Sequence, residues 1–253
     1  RIHHGHSFGL SYHTDRLYRS MRLLGIRPVT APDEFTEIVE VVVEESEIEE
    51  GYVKIIVTRG SDDHNFTIPA RSALQPNVLV YGKPIDLNAI EKFQSGVNCI
   101  TLDDDRGHHC DILSLNQLNN MMARAEAQKK NCYDAVFIKD GLLTEASHSN
   151  VCIVKAGVIW TPATNEHMIR GVTRSLVLTR AAPSAGVTSI DEASEPVRFE
   201  DMMTAEEVFL TNSQDGIIPV LSIDGNPIGG GKVGDVTKKI QEHYAHLMED
   251  GLP

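Results

Sequence analysis

The sequence predicts an α+β fold in two domains, and three observations carry that expectation. Helical and strand periodicities are mixed along the chain without strict strand–helix–strand alternation. A stretch at 83–96, KPIDLNAIEKFQSG, reads as a linker and divides a smaller N-terminal α/β part (1–95) from a larger C-terminal part (96–253). The 253 residues suffice for two domains, each with its own core. No repeat or low-complexity tract interrupts this pattern.

The elements follow in order. Residues 11–25, SYHTDRLYRSMRLLG, read as a helix: Leu17, Met21 and Leu24 recur at helical spacing, Thr14 or Asp15 can cap it, and Gly25 can end it. PDEFTEIVEVVVEESEI reads as a second helix with an acidic face. GYVKIIVTRG alternates and is β-branched, so it reads as a strand, as does NVLVYGKP. After the linker comes a strand at VNCITL and a helix over 115–130 with an apolar stripe of Leu115, Leu118, Met121, Met122 and Ala125. Short strands then alternate with turn signals: AVFI, Asp140-Gly141, LLTEA, VCIV, Ala156-Gly157, VIWTP. A helix opens after RGVTR, strands are expected at EVFLT and IPVLSI, Asp224-Gly225 signals a hairpin, and a last helix covers VGDVTKKIQEHYAHLME.

Composition narrows the function. Apolar residues make up 41% and charged residues 23%, ordinary for a globular chain. A net charge of −13 disfavours nucleic acid and anionic membranes as partners, because both would be repelled. No apolar run approaches the roughly 18–20 residues of a membrane span, and no signal peptide is visible. Cys99, Cys110, Cys132 and Cys152 are widely spaced, so free thiols of a cytoplasmic protein are expected.

Several motifs invite chemistry. The run His3 to His6 reads as a polar turn, because no second cluster stands at zinc-like spacing, and no metal site is expected. His108-His109 after the acidic run Asp103 to Asp105 reads as a solvated loop. IGGGKVGD lacks a glycine at Asn226 and a hydroxyl at Val233, so it is no phosphate loop but a connection before the last helix. IRGVTR offers backbone N–H groups and a hydroxyl at a helix N-terminus, a seat for a phosphate or a plain cap by Thr173. LTEASHSNV and LTNSQDG each end a strand in polar side chains, as a ligand site or a turn would.

Together, DRLY (15–18), VTRG (57–60), TEASHSN (144–150), RGVTR (170–174), VFLTNS (208–213) and DGNPIGGGKVGDVT (224–237) resemble the class IV aminotransferases, the fold-type IV pyridoxal-phosphate enzymes. The D-amino-acid transaminase branch is most similar, through HTDRLY, CDILSLN, NCYDA and GKVGDVT; branched-chain transaminases and aminodeoxychorismate lyase are relatives. The resemblance implies a small N-terminal α/β domain, a larger C-terminal β-barrel-like domain, and usually a homodimer. It implies pyridoxal phosphate as cofactor, with an amino acid or amine and a 2-oxo acid as substrates. Arg16, Val172, Thr173, Asn212 and Ser213 would hold its phosphate, Glu145 would face the pyridine nitrogen, and Ser149 and Asn150 would support the ring. An arginine fork suits phosphate. A carboxylate keeps the ring nitrogen protonated.

The resemblance also implies three departures. The Schiff-base lysine position falls on Arg124 in ARAEA. A guanidinium, with its pKa above roughly 12 and no free lone pair, cannot supply the neutral amine. The substrate-carboxylate positions fall on His64 and Phe66 behind two aspartates, a weak anion trap. A pocket-lining strand expected before Arg1 is missing from this sequence. An aminotransferase, a non-catalytic relative holding the cofactor without a covalent bond, and a lyase of the aminodeoxychorismate type all remain open here.

Overall fold

The computed structural model describes residues 1–61, 74–190 and 196–252. They form two compact units. The first runs from Arg1 to Asp86 and includes the chain's end from Met248 on; the second runs from Leu87 to Leu247.

Unit 1 is a four-stranded antiparallel sheet with two helices. Strands β1 (Ile2–His3) and β2 (His6–Ser7) form a hairpin, and the sheet order is β2-β1-β3-β4 with β3 (Glu50–Thr58) and β4 (Asn77–Pro84). Helix α1 (Leu10–Leu24) starts earlier than Thr14 or Asp15 allows; its N-cap is Gly9 in the left-handed region, and neither predicted residue caps it. Gly25 ends it at φ 65°, as expected. Helix α2 (Pro32–Glu45) has proline in its first turn and Asp33 and Glu34 beside the positive end of its dipole. Phe35, Val39 and Val43 recur at helical spacing and meet Ile2, Leu10 and Tyr18 in the core of this unit.

Unit 2 is built on a nine-stranded mixed sheet that curls into a half-barrel. The stretch read as a linker carries α3 (Leu87–Gln94), whose Ile90 is buried; the apolar pair Ile90 and Phe93 turns this polar stretch into a packed helix. Next come β5 (Val97–Asp103) and α4 (Leu118–Lys129). Helix α4 starts three residues later than expected, and the predicted core stripe is a surface: Leu115, Leu118, Met121 and Met122 are exposed. The buried positions are Ala123 and Ala127, because the close approach to β6 (Asp134–Lys139) leaves room only for small side chains beside Phe137 and Ile100.

Strands β7 (Leu142–Ala146), β8 (Asn150–Lys155) and β9 (Val158–Trp160) follow. Their turns are the predicted pairs: Asp140-Gly141 and Ala156-Gly157 all adopt positive φ, as two-residue hairpins require. Helix α5 (Val172–Leu176) opens at Val172 with Gly171 as N-cap, so Thr173 is inside the helix rather than its cap. It continues through a π turn (Val177–Ala181) into α6 (Ala182–Ser184). Then come β10 (Ser189–Ile190), α7 (Phe199–Met203), β11 (Glu207–Asn212), β12 (Gly216–Ile223), β13 (Asn226–Pro227) and α8 (Asp235–Asp250). The sheet order is β10-β9-β8-β11-β12-β5-β6-β7, with β13 on β12. Strands β12, β5 and β6 are parallel neighbours, and β5 and β6 send buried side chains into a core on each face of the sheet. No described helix is long and apolar enough to cross a membrane.

Candidate functional site

The site residues of unit 2 gather where β7 and β11 end and β8 begins. Glu145, on β7, is buried, and each of its hydrogen bonds comes from a donor. Arg106 Nη1 donates to its Oε1 at 2.6 Å, the Ile169 amide to its Oε2 at 2.9 Å, and Asn150 Nδ2 to its Oε2 at 3.4 Å. Such a partner set suits the ionised carboxylate. Burial acts against it and is the larger effect: it pushes the Glu145 carboxyl up to about 7, with Arg106 pulling in the other direction.

Arg106 was not among the residues the sequence singled out. It lies on the loop after β5 and is itself clamped. Asp104 accepts from its Nε at 2.9 Å and its Nη2 at 2.8 Å, the His167 carbonyl accepts from Nη2 at 3.0 Å, and the guanidinium carbon lies 4.2 Å from the centroid of the Phe137 ring. Thr144, beside Glu145, donates to Asp104 Oδ2 at 2.8 Å. Asp104 is held below its ordinary value by Arg106 and Thr144 in spite of burial, and Arg106 is held protonated by the two carboxylates. The only trace in the sequence is an arginine closing the DDD run; its partner Glu145 is 39 residues away.

Asn150 joins this cluster to the start of α5. Its Nδ2 donates to the Ile169 carbonyl at 2.7 Å. Its Oδ1 lies 2.0 Å from where a Cβ on Gly171 would stand, so the chain passes Asn150 so closely that only glycine fits. Val172 and Thr173 follow, both buried, with Thr173 Oγ1 3.3 Å from Tyr244 Oη on α8. Arg174, wholly buried, fixes this turn through Nε to Thr161 Oγ1 at 3.1 Å and Nη2 to the Pro162 carbonyl at 3.1 Å.

A second network runs from Ser149 to Arg124. Ser149 Oγ donates to Asp134 Oδ2 at 3.2 Å, and Ser147 donates to Asp134 Oδ1. Asn212 Nδ2 donates to Ser149 Oγ at 3.2 Å and to Tyr133 Oη at 3.0 Å, while its Oδ1 accepts from the Gln214 and Asp215 amides at 3.0 and 2.7 Å. Tyr133 donates to Asp215 Oδ2 at 2.5 Å. The phenol is pushed far up, by burial and by Asp215, so it stays protonated. Arg124 is half-buried, its guanidinium carbon 5.4 Å from the Tyr133 ring centroid. Tyr133 and Asp215 carry no signal in the sequence beyond the NCYDA and NSQDG turns.

The structure therefore brings Glu145, Asn150, Val172 and Thr173 together in one cluster, and Ser149, Asn212 and Arg124 in an adjoining one. Ser213, next to Asn212, is half-exposed. Arg16 belongs to unit 1, where its Nη2 is 3.3 Å from His13 Nδ1; burial and Arg16 hold His13 well below its ordinary value. His64 and Phe66 lie outside the described residues. His108, read as a solvated loop, is indeed exposed.

A pyridine ring with a phosphate fits what is present. Glu145 offers a carboxylate fully oriented by donors, the Gly171 turn presents backbone against Asn150, and Thr211 Oγ1, beside Asn150 in the strand register, is buried with no hydrogen-bond partner. Among the described residues no lysine is buried.

Comparison with known proteins bears on this arrangement. A profile of the family described as amino-transferase class IV matches residues 1–223. The chain is similar to the D-alanine aminotransferase of Bacillus licheniformis, 36% identical over 241 residues, covering 95% of this chain and 83% of that protein. It is similar to the D-alanine aminotransferase of Staphylococcus aureus (strain N315), 31% identical over 249 residues, covering 98% of this chain and 86% of that protein. In fold it is similar to the PLP-bound form of a hypothetical aminotransferase from Mycobacterium tuberculosis, with a TM-score of 0.82 at 20% identity over 98% of this chain and 87% of that one.

Proposed function

Because the chain belongs to the class IV aminotransferase family, whose members work with pyridoxal phosphate, we propose that it transfers an amino group between a D-amino acid and a 2-oxo acid. D-Alanine is the amino donor suggested by its similar relatives. The observation that carries the reading is Glu145: a buried carboxylate whose partners are all donors and which stands ready for a protonated ring nitrogen.

The cofactor, when bound, supplies an aldehyde that takes up amines and a ring that accepts electrons. The chain's own residues would bind and orient that group. Glu145 holds the proton at the ring nitrogen, and Arg106 keeps Glu145 oriented and favours its ionised form. Asn150 fixes the Glu145 carboxylate and spaces it from Gly171. Val172, Thr173, Asn212 and Ser213 would take the phosphate, while Ser149 positions Asn212. Arg124 gives no neutral amine, because a guanidinium keeps its proton at every physiological pH. Its place over Tyr133 supports a packing role. These residues would hold the cofactor by its phosphate and ring nitrogen rather than by a bond to Arg124.

We place the enzyme in the cytoplasm, an assignment the four free thiols support. We also take it to be a homodimer: the exposed apolar face of Leu115, Leu118, Met121 and Met122 supports association.

The test is a titration of the purified chain with pyridoxal phosphate, followed by D-alanine with 2-oxoglutarate and a coupled assay for pyruvate. Saturable binding that dialyses away and pyruvate formation are expected. Absence of saturable binding overturns the site, and binding without pyruvate overturns the transfer reaction.

A further inference from the structure

The run HHGH, read from sequence as a polar turn, forms a turn whose two histidines share a partner from the far end of the chain. His4 and Gly5 link β1 to β2 with φ of 50° and 75°, the positive values a two-residue hairpin requires. This conformation stacks the rings of His3 and His4, with centroids 4.1 Å apart. Both rings are sandwiched between two carboxylates. On one side Glu50 Oε1 lies 2.8 Å from His3 Nδ1 and 3.8 Å from His4 Nδ1. On the other, Glu249 Oε1 lies 3.3 Å from His3 Nε2, and Glu249 Oε2 lies 3.6 Å from His4 Nε2.

Glu50 is held firmly. Arg1 Nη2 donates to its Oε2 at 2.7 Å, and the His4 amide donates to its Oε1 at 3.2 Å. A fixed acceptor beside Nδ1 selects the imidazole form that carries its proton there and leaves Nε2 as a lone pair. His3 Nε2 and His4 Nε2 both face the Glu249 carboxylate, one on each of its oxygens. His3, His4 and Glu249 can each offer one ligand atom such that the three lie within 4.8 Å of one another. Tetrahedral zinc, with bonds of about 2.0–2.1 Å, needs its ligand atoms about 3.3 Å apart, close to the 3.3 and 3.6 Å found here.

We propose that His3 Nε2, His4 Nε2 and the Glu249 carboxylate form a binding site for a borderline divalent metal ion of the zinc type, with Glu50 orienting His3 from behind. Two imidazoles and one carboxylate select a transition metal over calcium or magnesium, which want all-oxygen sets. Three protein ligands leave a position for water. The ion joins the β1–β2 turn to the C-terminal segment within unit 1. Its expected effect is structural: it stabilises the folded state in proportion to its occupancy.

The probe is Zn²⁺ alone, titrated calorimetrically into the chelator-stripped full chain at pH 7.5. One saturable zinc per chain is expected, with a rise in Tm. His4→Asn and Glu249→Gln each remove a ligand and should weaken binding at least about tenfold; Glu50→Gln removes the orienting carboxylate and should weaken it about 10–100-fold. His4 and Glu249 are largely exposed, at 65% and 58%, so these variants keep the fold, which circular dichroism verifies. His243→Asn, at a second histidine pair on α8, should leave binding unchanged. The proposal is overturned if no saturable zinc binding is seen, which leaves the cluster a set of ion pairs. It is equally overturned if His4→Asn and Glu249→Gln bind zinc as the parent does, or if His243→Asn abolishes the binding.

Discussion

Glu145 and Asp215 are both buried carboxylates of unit 2, and they are held in opposite ways. Glu145 is bonded to a cation that is itself shared with a second carboxylate, Asp104. Asp215 takes its side-chain hydrogen bonds from neutral groups, the Tyr133 phenol and the Asn212 amide. The contrast separates two tasks. The Glu145 cluster keeps charge inside the protein, available to a ligand of opposite sign. The Asp215 cluster uses its carboxylate as a fixed acceptor that locks Tyr133 and, through it, Asn212. A clamp of the first kind fails badly when its cation is lost; a network of the second kind loses one bond at a time.

The largest expected effect follows directly. Arg106→Met leaves two buried carboxylates with no cation, and breaking a buried pair in this way costs about 3–5 kcal/mol. Denaturant unfolding should show the loss. Protonation of Glu145 and Asp104 relieves part of it, so the deficit should be greater at pH 8 than at pH 5. Equal deficits at both pH values would show that Arg106 acts by packing on Phe137 rather than by charge.

Next in size is the pH dependence of the parent chain. The Glu145 carboxyl sits at about 7 when folded, above its ordinary 4.5. Between these values the folded chain holds a proton that the unfolded chain releases, so stability falls as pH rises. The contribution is complete below about pH 4.5 and lost by about pH 7. The shift corresponds to about 3 kcal/mol at 1.36 kcal/mol per unit. Glu145→Gln should flatten this slope, measured as urea midpoints at pH 5 and pH 7.5. An unchanged slope would assign the dependence to another group.

On the Asp215 side the effect is smaller. Tyr133→Phe deletes one hydroxyl and leaves Asp215 and Asn212 each short of a bond, at a cost of about 1–3 kcal/mol. Asn212 keeps its bonds to Ser149 and to the Gln214 and Asp215 amides, so affinity for pyridoxal phosphate should fall only modestly along with stability. A stability loss with unaltered cofactor affinity would separate this network from the binding site.

How legible these two regions were in the sequence differs for a physical reason. Local signals were reliable: Asp140-Gly141 and Asp224-Gly225 form the predicted hairpins, and Gly25 ends α1. Patterning failed where packing decides. The stripe from Leu115 to Met122 has helical spacing but faces outward, because alanines make the close contact with β6. Glu145, Ser149, Asn150, Thr173 and Asn212 were singled out by a family pattern, and they lie in two adjoining clusters. Arg106 was not, since its meaning depends on a carboxylate 39 residues on, and a DDDR run is more simply a solvated loop. His3 and Glu249 are 246 residues apart, beyond any spacing rule.

The smallest effect tests the other arginine of the site. Arg106 and Arg124 both lie over aromatic rings, at 4.2 Å from Phe137 and 5.4 Å from Tyr133. Arg106 also bonds two buried carboxylates, whereas Arg124 is half-exposed and its described aromatic contact is the Tyr133 face. A cation–π contact at a partly exposed site contributes about 0.5–1 kcal/mol. Arg124→Met keeps the length of the side chain and its apolar packing while removing the charge, so it should cost no more than that. In a double-mutant cycle with Tyr133→Phe the coupling should be small, because phenylalanine keeps the ring face that Arg124 covers. In a cycle with Tyr133→Leu, which removes the ring, the coupling should equal nearly the whole effect of Arg124→Met. A loss of 2 kcal/mol or more from Arg124→Met would mean that the guanidinium compensates Asp215 through the ring, and the two carboxylates would then be held by the same means.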